Sequence, residues 1–240
     1  MMQQRGLDRS ASRVAQKDGT IAAIWLVSVR GAAAYLISSG TVPEFRSQGL
    51  AKLLSEDCID GLKRVGVRKF QTEVLTENAT AASLYHKIGM RQSRELSCYN
   101  LKTNGLPAKS QTMPIEETHW SKMAPLAAGP RDWNLSWQNS DASLQGIGAN
   151  TRCFAIQEKQ TLFGYIVVIP EVKQIAQIAV RHGYRRQGIA TALLKAAADV
   201  TSSDVLRMLN VDSSDASLAA FLEAMKAERT MGQFELILKL

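Results

Sequence analysis

One short phrase is written twice in this chain, and the repetition limits the folds open to it. Arg-x-Gln-Gly-x-Ala stands at Arg46-Ser47-Gln48-Gly49-Leu50-Ala51 and again at Arg185-Arg186-Gln187-Gly188-Ile189-Ala190, 139 positions later. Each copy follows a β-like apolar segment and opens an amphipathic helix. A glycine turn feeding a helix start leaves backbone N–H groups unpaired at the positive end of the helix dipole, which suits phosphate. Two copies imply two similar units, and 240 residues accommodate two domains of about 100–130 each.

The element order repeats as well. Asp18-Gly19 between β-like runs signals a hairpin. Thr20–Val29 and Ala33–Val42 read as strands, followed by a helix from Arg46 whose apolar positions Leu50, Leu53, Leu54, Cys58, Leu62 and Val65 run near a 3.6 period. A strand over Arg68–Leu75 leads to a helix capped by Asn78 and closed by Gly89. Met90–Leu101 forms one or two strands, and the polar residues 102–113 have linker composition. The second half offers a helix at 116–127, a hairpin around Lys159-Gln160, a strand over Gln174–Val180 and a helix over Arg185–Val200. A strand over Val205–Val211, a helix over Ala216–Lys226 and a last strand over Phe234–Leu240 complete it. This order predicts a mixed α/β or α+β fold with a partly antiparallel sheet.

The net charge of +7 lies in the first part: residues 1–110 hold 16 Lys/Arg and 9 Asp/Glu, residues 111–240 hold 13 of each. A basic half suits an anionic ligand. No aromatic platform or basic finger accompanies it, which argues against nucleic acid as partner. The longest apolar run, Ile21–Val29, is too short to span a bilayer, and the first ten residues carry no signal-like stretch. The expectation is a cytoplasmic protein without a membrane partner. Cys58, Cys98 and Cys153 are isolated and odd in number, so neither a disulfide framework nor a metal site is expected.

Val42 through Ala51, Val180 through Ala190, and the run Asn78-x-x-Ala81-x-x-Leu84-Tyr85-x-x-x-Gly89-Met90 together resemble the GNAT superfamily of N-acetyltransferases, in tandem. The resemblance implies two acyl-CoA N-acyltransferase-like domains: residues 1–103, lacking its opening elements, then a linker at 104–113, then a degenerate copy at 114–240. It implies acetyl-CoA as donor and an amine as acceptor, in a monomer (a pseudo-dimer of its two domains) or a homodimer. Asp215 replaces the second Asn, and Leu222, or Phe221 after a one-residue slip, replaces the Tyr.

On this resemblance, the cofactor-binding residues of the first copy are Thr41, Val42, Arg46, Ser47, Gln48, Gly49, Leu50, Ala51, Lys52 and Asn78. Those of the second are Val180, Arg185, Arg186, Gln187, Gly188, Ile189, Ala190 and Thr191. Backbone N–H groups from Gln48 to Lys52 would surround a diphosphate, with charge added by Arg46 and Lys52. Tyr85 is the catalytic acid for the leaving thiolate, because a phenol is neutral at pH 7 and can donate as charge develops on sulfur. On periodicity alone it reads as a core residue sharing a stripe with Ala81 and Ile88. Glu73 is the candidate base, acting through water, or else a carboxylate paired with a neighbouring cation. Three functions stay open: N-acetyl transfer to a small or protein amine, acyl-CoA binding or sensing without catalysis, and phosphate-backbone binding by the basic half.

Overall fold

The computed structural model describes residues 2–106 and 113–240. Its elements in chain order are α1 (Met2–Arg5), β1 (Asp8–Lys17), β2 (Thr20–Arg30), β3 (Ala33–Thr41), α2 (Leu50–Arg64), β4 (Lys69–Leu75), α3 (Ala79–Lys87), β5 (Arg91–Lys102), β6 (Glu116–Thr118), α4 (Trp120–Ala127), α5 (Asp141–Ile147), β7 (Arg152–Glu158), β8 (Thr161–Ile169), β9 (Gln174–Val180), α6 (Ile189–Thr201), β10 (Val205–Asp212), α7 (Ala216–Ala224) and β11 (Glu228–Lys239). The chain divides into two compact units, Met1–Glu95 with Gly232–Leu240, and Leu96–Met231.

In the first unit the strands run β1-β2-β3-β4-β11. The β1–β2 hairpin turns at Asp18 (φ 49°) and Gly19 (φ 79°), the two positive values its tight two-residue turn requires. The β3–β4 pair is parallel and its bridges span only Ala33–Tyr35 against Lys69–Gln71. Beyond that the two strands diverge. On one face Trp25, Val27, Leu36, Phe70 and Val74 pack against Leu54, Cys58 and Leu62, spaced four apart on α2.

In the second unit the order is β5-β10-β9-β8-β7-β6. Its parallel pair, β9 and β10, is held only at Gln174–Ile175 and Arg207–Met208. Ile166, Val168, Ile175 and Ile178 face Leu193, Leu194 and Ala197 of α6. Tyr165, Val167 and Ala176 point to the other face, under Trp120 and Met123 of α4 and Leu144 of α5. Burial on both faces is why β8 reads as an unbroken apolar run, Leu162–Ile169, rather than alternating.

Several expectations are corrected. The helices begin at Leu50 and Ile189, not at Arg46 and Arg185, because the shared phrase forms an irregular loop before each helix. Residues 116–127 hold a short strand and then α4, and α5, capped by Ser140, had no counterpart in the sequence reading. The last strand starts at Glu228 rather than Phe234. The compact units also depart from the 1–103 and 114–240 division. Gln233–Lys239 of β11 pairs with Leu75–Lys69 of β4, so the first unit is closed by the end of the chain. Leu96–Lys102 of β5 pairs with β10 in the second unit. Closure by a distant segment leaves no local signal in composition. The expected linker at 104–113 falls mostly on 107–112, outside the described residues.

Candidate functional site

The two copies of the shared phrase adopt one backbone conformation. Ser47 and Gly49 have φ of 61° and 76°, and Arg186 and Gly188 have 62° and 78°. A left-handed non-glycine residue costs about 1–2 kcal/mol, yet it recurs at the same place. Each loop is braced identically. Arg46 Nε donates to Thr41 O (3.3 Å) and Arg185 Nε to Val180 O (2.9 Å). Gln48 Nε2 donates to Glu44 O (3.3 Å) and Gln187 Nε2 to Gly183 O (3.4 Å). The Arg and Gln of the phrase therefore shape the loop from inside. Gly49 and Gly188, left-handed and with no side-chain cap, open α2 and α6, whose first N–H groups face outward from a concave turn.

A second shared feature lies on the strand before each loop. The antiparallel register of β3 with β2 skips Ile37, and that of β9 with β8 skips Ala176. These bulges are 139 positions apart, as the loops are. A bulge bends its strand and shifts which residues share a face, and here it coincides with the divergence from β4 and β10.

The copies differ in what fills the divergence. In the first unit Ser39 Oγ lies 3.1 Å from Tyr85 Oη. Tyr85 is buried and meets Trp25 edge-on, with centroids 6.1 Å apart. Burial pushes the phenol above its ordinary range, and the bond to Ser39 draws it part of the way back. Asn78 Oδ1 accepts from Ala81 N (3.1 Å), capping α3 as its sequence signals. Lys52 pairs with Glu56 on the exposed face of α2.

Glu73 sits on β4 beside Gln71, while Phe70, Thr72 and Val74 alternate with them. It accepts a hydrogen bond from Tyr35, and its Oε1 is sealed with no hydrogen-bond partner. Burial pushes its carboxyl up to about 7, against the lowering effects of the Tyr35 bond and of Arg5. Glu235 lies opposite it in the β4–β11 register and is paired with Arg94 at 2.7 Å. The carboxylate is therefore built into a buried polar group, on the sheet face away from the core that holds Tyr85.

In the second unit Ile178 stands where Ser39 does, and Leu222 where Tyr85 does; both belong to the apolar core. Beside them is a cavity of about 320 Å³, lined among others by Val180, Arg185, Arg186, Gly188, Ile189, Ala190 and Thr191, which are expected site residues. Gln187 is exposed and does not line it. Its remaining wall includes Phe221 and also Asp132, Trp133 and Ser217, which the sequence did not single out. Arg185 ties three elements together: Nη2 donates to Asp132 Oδ2 (2.7 Å), Nη1 to Ser217 Oγ (3.0 Å), and Nε to the end of β9. Asp215 caps α7 by accepting from Ser217 N and Leu218 N, both at 3.0 Å. The segment that carries Asp132 and Trp133 is anchored below by Arg131, which pairs with Asp141 at 2.8 Å, and by Asn139, which receives Gln174 Nε2 at 3.0 Å.

Among the described residues no cluster of His, Cys, Asp or Glu is arranged to hold a metal, and no helix is long and apolar enough to cross a membrane.

The profile described as "Acetyltransferase (GNAT) family" matches residues 3–90, and the one described as "Acetyltransferase (GNAT) domain" matches residues 129–224. A [Ribosomal protein bS18]-alanine N-acetyltransferase of Escherichia coli is 32% identical over 89 residues, which are 37% of this chain and 60% of that protein. The chain thus spans 60% of the length of the curated relatives it matches. Two solved structures share the fold. A tandem GNAT protein from the clavulanic acid biosynthesis pathway superposes with a TM-score of 0.70 at 12% identity, over 95% of this chain and 83% of that one. A GCN5-related N-acetyltransferase from Sphaerobacter thermophilus gives 0.64 at 14%, over 92% and 78%.

Proposed function

The chain belongs to the GNAT family of acetyltransferases through both of its repeats, and on that premise we propose that its first unit transfers acetyl from acetyl-CoA to a primary amine. The observation that carries this reading is the Ser39–Tyr85 hydroxyl pair, whose Ser39 stands on the strand that leads into the braced loop, and whose counterparts in the second unit carry no hydroxyl. The donor's diphosphate is held by N–H groups from Gln48 to Lys52, with left-handed Ser47 and Gly49 turning the backbone toward it. Thr41 and Val42, at the end of diverging β3, align the pantetheine arm. The amine nitrogen bonds to the thioester carbon and the C–S bond breaks. Tyr85 gives its proton to the departing sulfur and regains one from solvent. The amine's surplus proton leaves to water and reaches Glu73, whose carboxyl at about 7 suits a base at neutral pH, only where bound substrate opens its sealed Oε1 to that water.

The acceptor is a primary amine. Because a curated relative acts on an alanine of ribosomal protein bS18, a peptide beginning with alanine belongs in the acceptor panel beside small amines and polyamines. A cytoplasmic setting goes with this donor. The test is thiol release from acetyl-CoA across that panel, with calorimetric titration of CoA. Amine-dependent thiol release supports the reading; CoA binding with no release for any amine refutes transfer.

The cavity of the second unit favours a second reading for that unit alone. It adjoins the same loop but presents Ile178 and apolar neighbours in place of the hydroxyl pair. That unit then retains an acyl-CoA without turning it over.

A further inference from the structure

We propose that Ser39 is a positioning residue for the acid, holding the Tyr85 hydroxyl and donating to its oxygen as the proton passes to sulfur. This rests on the acetyl-transfer reading of the first unit. The two oxygens are 3.1 Å apart, and either can donate. When Tyr85 still carries its proton, that proton must point to the leaving sulfur to be useful. A Ser39 O–H directed at the phenol oxygen occupies the lone pair and leaves the phenol's own hydrogen free to turn. Once the proton has moved, the same Ser39 hydrogen meets a phenolate, and a bond to a charged acceptor is stronger than one to a neutral acceptor. The interaction therefore grows along the reaction coordinate, which is the condition for raising kcat rather than tightening binding.

The placement of Ser39 is dictated by β3. The bulge at Ile37 shifts the alternation, so Ser39 lies opposite Trp25, the residue whose ring meets Tyr85. Without the skipped residue, Ser39 would share the face of Tyr35. The molecule also carries its own comparison. In the second unit the bulge is kept at Ala176, yet the position equivalent to Ser39 is Ile178 and that equivalent to Tyr85 is Leu222. Both hydroxyls are absent together, as expected if neither has value without the other.

The experiment is a double-mutant cycle on the full chain, following thiol release with the best amine of the panel. Ser39→Ala should lower kcat about tenfold while KM for acetyl-CoA stays within about twofold. Ser39→Thr, which keeps a hydroxyl at Cβ, should recover most of the loss. In a Tyr85→Phe background, Ser39→Ala should have no further effect, because the group it serves is gone. Thermal unfolding of each variant shows whether the fold is kept. An undiminished kcat in Ser39→Ala overturns the proposal. So does an equal further fall on the Phe background, or a Thr variant that folds normally yet stays as slow as Ala. If the parent protein releases thiol for no amine, the acetyl-transfer reading falls and this inference falls with it; if the parent is active and the cycle is additive, only this inference falls.

Discussion

The loops at Ser47–Lys52 and Arg186–Thr191 share φ values within a few degrees, the same internal bonds and the same preceding bulge, but they stand in different surroundings. The first loop is exposed, and the strand leading into it carries Ser39 of the hydroxyl pair. The second is half-buried, backed by Asp132 and Trp133, and neighbours aliphatic side chains. The wall in the second unit comes from the segment between α4 and α5. The left-handed turn and the hydroxyl pair are thus separable parts. The turn recurs in both copies, while the Ser39–Tyr85 pair stands in one and the wall of Asp132 and Trp133 in the other.

Five measurements test this contrast. Tyr85→Phe should cut kcat about a hundredfold with CoA affinity nearly unchanged, since a positioned general acid contributes about that much. The reciprocal change, Leu222→Tyr, places a phenol beside Ile178 with no hydroxyl partner and should destabilise the second unit by about 1–3 kcal/mol, read from denaturant unfolding, without adding activity. A gain of turnover there would show that a phenol works at this position without a hydroxyl partner.

Glu73 gives a pH signature confined to the first unit. Its folded-state value of about 7 lies above the ordinary 4.5, so the folded protein holds the proton more tightly than the unfolded chain. Stability is fully present below about pH 4.5 and declines as pH rises toward 7, where the loss levels off, amounting to roughly 3 kcal/mol. Glu73→Gln should abolish that slope and also the acidic limb of the rate profile. A stability curve unchanged by the substitution would show that Glu73 is not the buried proton holder.

Gly49→Ala and Gly188→Ala should each lose about 1–2 kcal/mol of stability, because both sites are left-handed. Their effects on CoA binding should diverge according to which loop grips the diphosphate, and calorimetry on the two variants reports it. The smallest effect is expected from Asp132→Asn. Its carboxylate is half exposed, so its ion pair with Arg185 contributes under about 1 kcal/mol. The change should raise CoA affinity of the second unit by a few-fold at low salt and leave it unaltered at high salt. Equal affinities at all salt concentrations would mean Arg185 serves only as a brace.

What could be read directly from the chain is what depends on neighbours in sequence. Asp18-Gly19 turns the hairpin, Asn78 caps α3, and Gly89, at φ 97°, closes its C-terminal turn. The duplicated phrase marked both loops, and the missing hydroxyl at Leu222 was visible without coordinates. The helix starts were misplaced by four residues because Arg46 and Gln48, which look like a helical first turn, bond backward to Thr41 and Glu44 instead. Ser39 was not singled out, since its facing depends on a bulge that only the β2 register reveals; aligning the repeats at Ile37 and Ala176 was the one available signal. Asp132 and Trp133 lie in irregular chain with no periodicity to mark them. The pairing between residues 69–75 and 233–239 leaves no trace in either segment alone.

That closing strand has a consequence for biosynthesis. Chains emerge from their amino end, and domains usually mature in that order. Here Leu96–Met231 has all its own strands before Phe234 is joined to the chain, whereas the earlier-made unit must wait with the free edge of β4 unpaired until Gln233–Lys239 are made. An unpaired edge is a template for wrong partners, so the half bearing the hydroxyl pair is the last to be finished and the more exposed to premature termination.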